Sequence, residues 1–151
     1  GDVMKESMNV AKSLAWNLTS NTIKKKLITQ FTDTKCQGLH IHCPEGAISK
    51  DGPSAGAAIT TAIYSLFNNK KIDNTIAMTG EINLQGEVTK IGGLDMKISG
   101  GIKAGVKTFL YPKSNSREYN EWKKNANETL YEDIHFYEVS TIQEVFKIVF
   151  A

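Results

Sequence analysis

The sequence predicts a mixed α/β fold in one domain, and three observations carry that prediction. Segments of helical periodicity alternate with short β-branched or aromatic runs from one end to the other. The 151 residues are enough for one domain to bury its own core without metal or disulfide staples. Apolar residues make up 40% and charged residues 23%, which suits a globular chain and not a disordered or coiled-coil one. No internal repeat or linker divides the chain, so residues 1–151 form a single compact domain, with at least four helices and five strands.

The first element is a helix. Met4, Met8, Ala11, Ala15 and Leu18 recur at spacings of four and three and make one apolar stripe. Asp2 is its expected N-cap, and Ser20-Asn21 its stop. The run Lys24-Lys25-Lys26 reads as a solvated face. Over residues 38–43, Leu39, Ile41 and Cys43 alternate with His40 and His42, the pattern of a half-buried strand with two imidazoles on its second face. Residues 44–53 form a loop. A second helix is expected over residues 53–67, with Pro53 in its first turn and small residues suited to close packing.

Residues 75–79 read as a short buried strand. The runs 82–84 and 88–91 flank Gln85-Gly86-Glu87 as a hairpin. Gly92-Gly93 breaks the chain before a third helix over residues 94–104. A strand over residues 108–111 stops at Pro112. Residues 116–125 are a polar helix or loop, and residues 134–139 another strand. Ser140-Thr141-Ile142-Gln143 is a capping box opening the last helix, whose inner face is Ile142, Val145, Phe146 and Val149.

Several functions are disfavoured. The net charge is only +2, and one of the 18 cations is an arginine, Arg117. Phosphate and base readout leans on the arginine fork, so a dedicated nucleic-acid binder does not fit. Cys36 and Cys43 make no disulfide framework, so a reduced, intracellular and cytoplasmic setting is the default. Residues 1–6 are charged and no apolar h-region follows, so no signal peptide is read. The longest uncharged stretch, residues 52–69, is too polar to span a bilayer. His40 and His42 can share a face, but Cys43 points away, which leaves two ligands where zinc needs at least three. Residues 100–108 have the glycines of a P-loop, but Val106 follows Gly105 where lysine is required, so no ATP site is read in this domain.

Two groups suggest chemistry. Gly52-Pro53-Ser54-Ala55-Gly56 matches G-x-S-x-G, a nucleophilic serine on a turn opening a helix. The free N–H groups at such a helix start can stabilise an oxyanion. The same five residues also suit a plain helix start. A serine nucleophile needs a base. His135, acting in a triad, is one option. Lys97 is the other, because it shares the face of the third helix with Leu94, Ile98 and Gly101, where burial would lower its pKa. Lys97 with only its stem covered remains an alternative.

Taken together, the motifs resemble the proteolytic domain of Lon, the ATP-dependent Ser–Lys protease family. The matching runs cover nearly the whole chain in order. They are residues 1–7 (Gly-Asp-Val-Met-Lys-Glu-Ser), 40–47, 50–56, 78–82, 91–94 with Lys97, and 105–108 before Tyr111-Pro112. The resemblance implies a serine endopeptidase with a Ser–Lys dyad, Ser54 as nucleophile and Lys97, 43 residues later, as general base. It implies Thr79 as the hydroxyl orienting the lysine amine, His40 and His42 beside the site, and Asp51 as the loop acid before the serine. Backbone around Gly52, Pro53 and Ala55 is expected to hold the oxyanion. No metal or cofactor is implied in this domain, whereas ATP and magnesium are expected for the parent protein. The implied parent is a homo-hexamer that feeds unfolded polypeptide from an AAA+ module in the same chain, with no membrane partner and with nucleic acid only through the parent. The AAA+ module and the strands that usually precede Gly1 are missing, which implies a domain truncated at its N-terminal side. The mitochondrial matrix is the alternative compartment. Ser99-Gly100-Gly101 is a departure from the family's usual Leu, Ala and Glu, and weakens the third helix by about 1 kcal/mol per glycine.

Overall fold

A computed structural model describes residues 1–35, 38–44 and 51–151. Among these residues there are six helices and five strands. Helix α1 spans Asp2–Leu18, α2 Asn21–Asp33 and α3 Gly56–Asn68. Strands β1 (Ile76–Met78), β2 (Glu81–Ile82) and β3 (Val88–Thr89) precede helix α4 (Leu94–Lys103). Strand β4 (Thr108–Pro112), helix α5 (Ser116–Asn125), strand β5 (His135–Val139) and helix α6 (Ile142–Val149) complete the chain.

The central sheet is parallel, in the order β1-β4-β5, while β2 and β3 pair antiparallel as a separate hairpin. Ile76, Thr108 and His135 share the row at the N-terminal end of the three strands. Strand alternation then splits the core into two layers. Leu110 faces Leu14, Ala57, Ile142 and Val145 from α1, α3 and α6. Phe109 and Tyr111 face Leu94 and Ile98 of α4, with Tyr119 and Trp122 of α5 packed against them. The sheet is therefore covered on both faces, the arrangement that short βαβ connections produce.

Four local expectations change. Asp2 is the first residue of α1 and does not cap it; the Asp51 carboxylate instead accepts a hydrogen bond from the Met4 N–H at 2.8 Å. Ser20 does not only end α1. Its hydroxyl accepts from the Ile23 N–H and opens α2, a helix the lysine run had concealed. Residues 39–44 form no strand, although Leu39 and Ile41 do pack inward against Ala11, Ala15 and Ile63. Cys43 is exposed, not inward as the alternation required. The box of α6 is shifted by one residue: Thr141 accepts from the Glu144 N–H, and the Glu144 carboxylate accepts from the Ser140 N–H. Cys36, and the part of the expected loop over residues 45–50, lie outside the described residues.

Candidate active site

The site is assembled at the C-terminal end of β1, where parallel sheets present their ligands. After Met78 the chain leaves the strand as Thr79-Gly80, and the backbone there is tied in two directions. The Thr79 N–H donates to the Leu110 carbonyl of β4 at 3.1 Å, and the Gly80 N–H donates to the Ser54 carbonyl at 2.9 Å. The Gly80 carbonyl in turn accepts from the Ala57 N–H at 3.0 Å. The turn carrying Ser54 is thus stitched to the sheet by main-chain bonds on either side of Gly80. A Cβ at Gly80 would overlap Val88, so only glycine lets the strands approach this closely. Sequence reading did not single out Gly80. Its signal was a lone glycine at a strand end, which is a weak one.

Both glycines of the G-x-S-x-G run are accounted for. Gly52 has φ +122°, a conformation side chains disfavour. At Gly56 a Cβ would lie 2.7 Å from Ile82 Cγ2 and 3.0 Å from Ser7 Oγ, so glycine permits close packing of α3 on α1 and β2. Helix α3 starts at Gly56, three residues later than the sequence implied. Pro53 has no N–H to offer an oxyanion; it acts through its carbonyl, which accepts from the Gly56 N–H at 3.1 Å and closes the turn around Ser54.

Lys97 is delivered by α4. Gly93, with φ +68°, turns the chain into the helix, and Leu94 and Ile98 anchor the inner face at 0% and 1% exposure. Lys97 lies beside that face, half-buried, and its Nζ stands 3.0 Å from Ser54 Oγ. That is hydrogen-bonding distance for a proton travelling either way. Thr79 is buried next to both, but its hydroxyl donates to the Ser54 carbonyl at 3.4 Å, where the sequence reading had it holding the Lys97 amine.

A cavity of about 420 Å³ opens from this pair, lined by Ser54, Thr79 and Lys97 at one end and by apolar side chains over the rest. His40 and His42 are exposed on the segment after α2, with ring centroids 6.4 Å apart, and neither lines the cavity. Asp51 is also turned away from it, toward the start of α1. The Met4 N–H holds its carboxyl below the usual carboxylate range, outweighing the small opposing effect of desolvation. His135 sits in the row at the opposite end of the sheet and two strands from β1, about 14 Å away by strand geometry. A triad through His135 is therefore out of reach.

Residues 1–151 match the model of the Lon protease (S16) C-terminal proteolytic domain. The chain is 45% identical over 150 residues to a mitochondrial Lon protease homolog of Yarrowia lipolytica, covering 99% of this chain and 12% of that protein. It is 45% identical over 149 residues to a Lon protease of Metamycoplasma arthritidis, covering 99% and 17%. A Lon protease of Methanosphaera stadtmanae is 40% identical over 147 residues, covering 96% and 16%. This chain belongs to the Lon proteolytic-domain family. It spans less than a fifth of the length of these relatives. The Lon-domain match places the motif order read from the sequence in a single framework, in which α3 and α4 face one another across the end of β1. The relatives' names include mitochondrial ones, and among the described residues no helix is long and apolar enough to cross a membrane.

Proposed function

We propose that this domain is a serine endopeptidase working through a Ser54–Lys97 dyad. The observation that carries this reading is the 3.0 Å separation of Lys97 Nζ and Ser54 Oγ at the mouth of an apolar cavity. The neutral amine takes the Ser54 hydroxyl proton as Oγ bonds to the peptide carbonyl carbon. The Ala55 N–H, on the turn where helix α3 begins, is aimed to bind the oxyanion. The C–N bond then breaks, and Lys97 returns its proton to the departing amine. Water, deprotonated by the same lysine, hydrolyses the acyl-enzyme. In the whole protein, an AAA+ module fuelled by ATP and magnesium would unfold polypeptides and feed them to a hexameric ring of such sites.

The test separates a base from a structural cation. Lys97→Arg keeps the charge but cannot deprotonate, and Lys97→Met keeps the apolar stem. Both should lower peptide cleavage by about a thousandfold or more, as should Ser54→Ala, while all three stay folded. Labelling of Ser54 by a fluorophosphonate, read by mass spectrometry, reports the same activation without turnover. Near-parental cleavage or labelling in Lys97→Arg would sink the dyad reading.

A further inference from the structure

The cavity beside Ser54 extends well beyond what the reacting atoms need. Its walls include Ala58 of α3, Met78 of β1, Phe109 of β4 and Val106, and Lys97 is its only ionisable lining residue among those described. On α4, Gly100 and Gly101 follow Lys97 by three and four positions, so all three share one face, and all three line the cavity. The two glycines differ in kind. A Cβ at Gly101 would press on the Phe109 ring at 3.3 Å, which gives that glycine a packing role. A Cβ at Gly100 would meet nothing within 4 Å, and the helix there needs no left-handed backbone. Glycine inside a helix is unfavourable, so neither packing nor backbone geometry accounts for Gly100. What its missing side chain leaves is space in the cavity wall, one helical turn from the catalytic amine.

We infer that Gly100 is a specificity-determining residue: it widens the apolar cavity beside Ser54 so that it accepts a large apolar or aromatic side chain on the residue supplying the scissile carbonyl. This rests on the Ser54–Lys97 reading. Small walls at Ala55 and Ala58, with Met78 and Phe109 beyond them, offer a ring dispersion contacts and no polar partner. Acidic or amide side chains would lose their water without compensation.

The test uses peptide boronic acids that differ only in the side chain next to boron: Ala, Leu, Phe or Asp. Ser54 Oγ adds to boron and its proton passes to Lys97, so binding is read by calorimetry without turnover. The parent should bind the Phe member about tenfold or more tighter than the Ala member, with Asp weakest. Gly100→Leu should bring the Phe-to-Ala ratio to one or below, and Gly100→Ala should lie between. Both variants should melt no lower than the parent, because the helix gains a better former. Ser99→Leu, on the exposed side of the same helix, should leave the ratio unchanged. An equal ratio in the parent and Gly100→Leu overturns the inference, as does a parent that prefers Ala or binds none of the series. The dyad reading fails separately, if Ser54→Ala binds the boronates as tightly as the parent does.

Discussion

Helices α2 and α4 are of similar length, yet the chain uses them in opposite ways. Over its 13 residues α2 buries nothing, and Ile28 stands 53% exposed. Its threonines satisfy themselves, with the hydroxyls of Thr29, Thr32 and Thr34 donating back to carbonyls four residues earlier. Helix α4 contains two glycines and has poor intrinsic propensity, but Leu94 and Ile98 are locked against Phe109 and Tyr111. The helix with the weaker backbone is the one that carries Lys97. Placement of a reactive side chain therefore depends on burial of its neighbours, and tertiary packing here overrides local propensity.

The largest effect should come from attacking that burial directly. Ile98→Ala removes a side chain that is 1% exposed and should cost about 2–5 kcal/mol in denaturant unfolding. It should also lower cleavage, because α4 then holds Lys97 less firmly opposite Ser54. Ile28→Ala on α2 should change stability by less than about 0.5 kcal/mol and leave cleavage alone. Equal losses from the two substitutions would break the contrast between the helices.

The same contrast explains what was legible in the sequence. Ser54, Lys97, the hairpin turn and the inner face of α6 were readable because each is a local pattern: a glycine-flanked serine, an inward lysine, a turn glycine, an apolar stripe. Helix α2 was hidden because it has no buried stripe to read, only the Ser20 cap. The segment after it showed strand alternation, but alternation reports which side is buried and not whether a neighbouring strand is there to pair with it. The parts of the site that escaped were long-range main-chain bonds. That Gly80 would tie the Ser54 carbonyl to the sheet, or that Asp51 would cap α1 from 47 residues away, depends on approach distances no spacing encodes.

A smaller effect should follow from Thr79→Val, which keeps the shape of a buried side chain and deletes its hydroxyl. The bond lost is the 3.4 Å contact to the Ser54 carbonyl, long for a hydroxyl donor, and the Gly80 N–H still holds the same oxygen. Stability should fall by about 1 kcal/mol or less, and turnover by up to about tenfold as the serine turn loosens. An unchanged rate in the folded variant would remove Thr79 from the mechanism and leave Gly80 as the sole anchor of that turn.

The smallest effect belongs to Asp51, the exposed link between the serine loop and α1. Its carboxyl lies below the ordinary range chiefly because the Met4 N–H donates to the charged form. A depressed folded-state pKa fixes the sign. The tether is fully present above the unfolded value of about 3.9 and is lost as pH falls through the lower folded value. The Met4 amide resonance should therefore titrate with a midpoint below about 3.9, while dyad geometry and cleavage at neutral pH stay the same. Asp51→Asn keeps an acceptor oxygen but no charge, so the Met4 resonance should stop titrating in this range, and the drop in turnover should be smaller than that of Thr79→Val. A Met4 midpoint at or above the ordinary carboxylate value would show that the loop is not held by this bond. Ser54 would then be positioned from the sheet side alone, through Gly80.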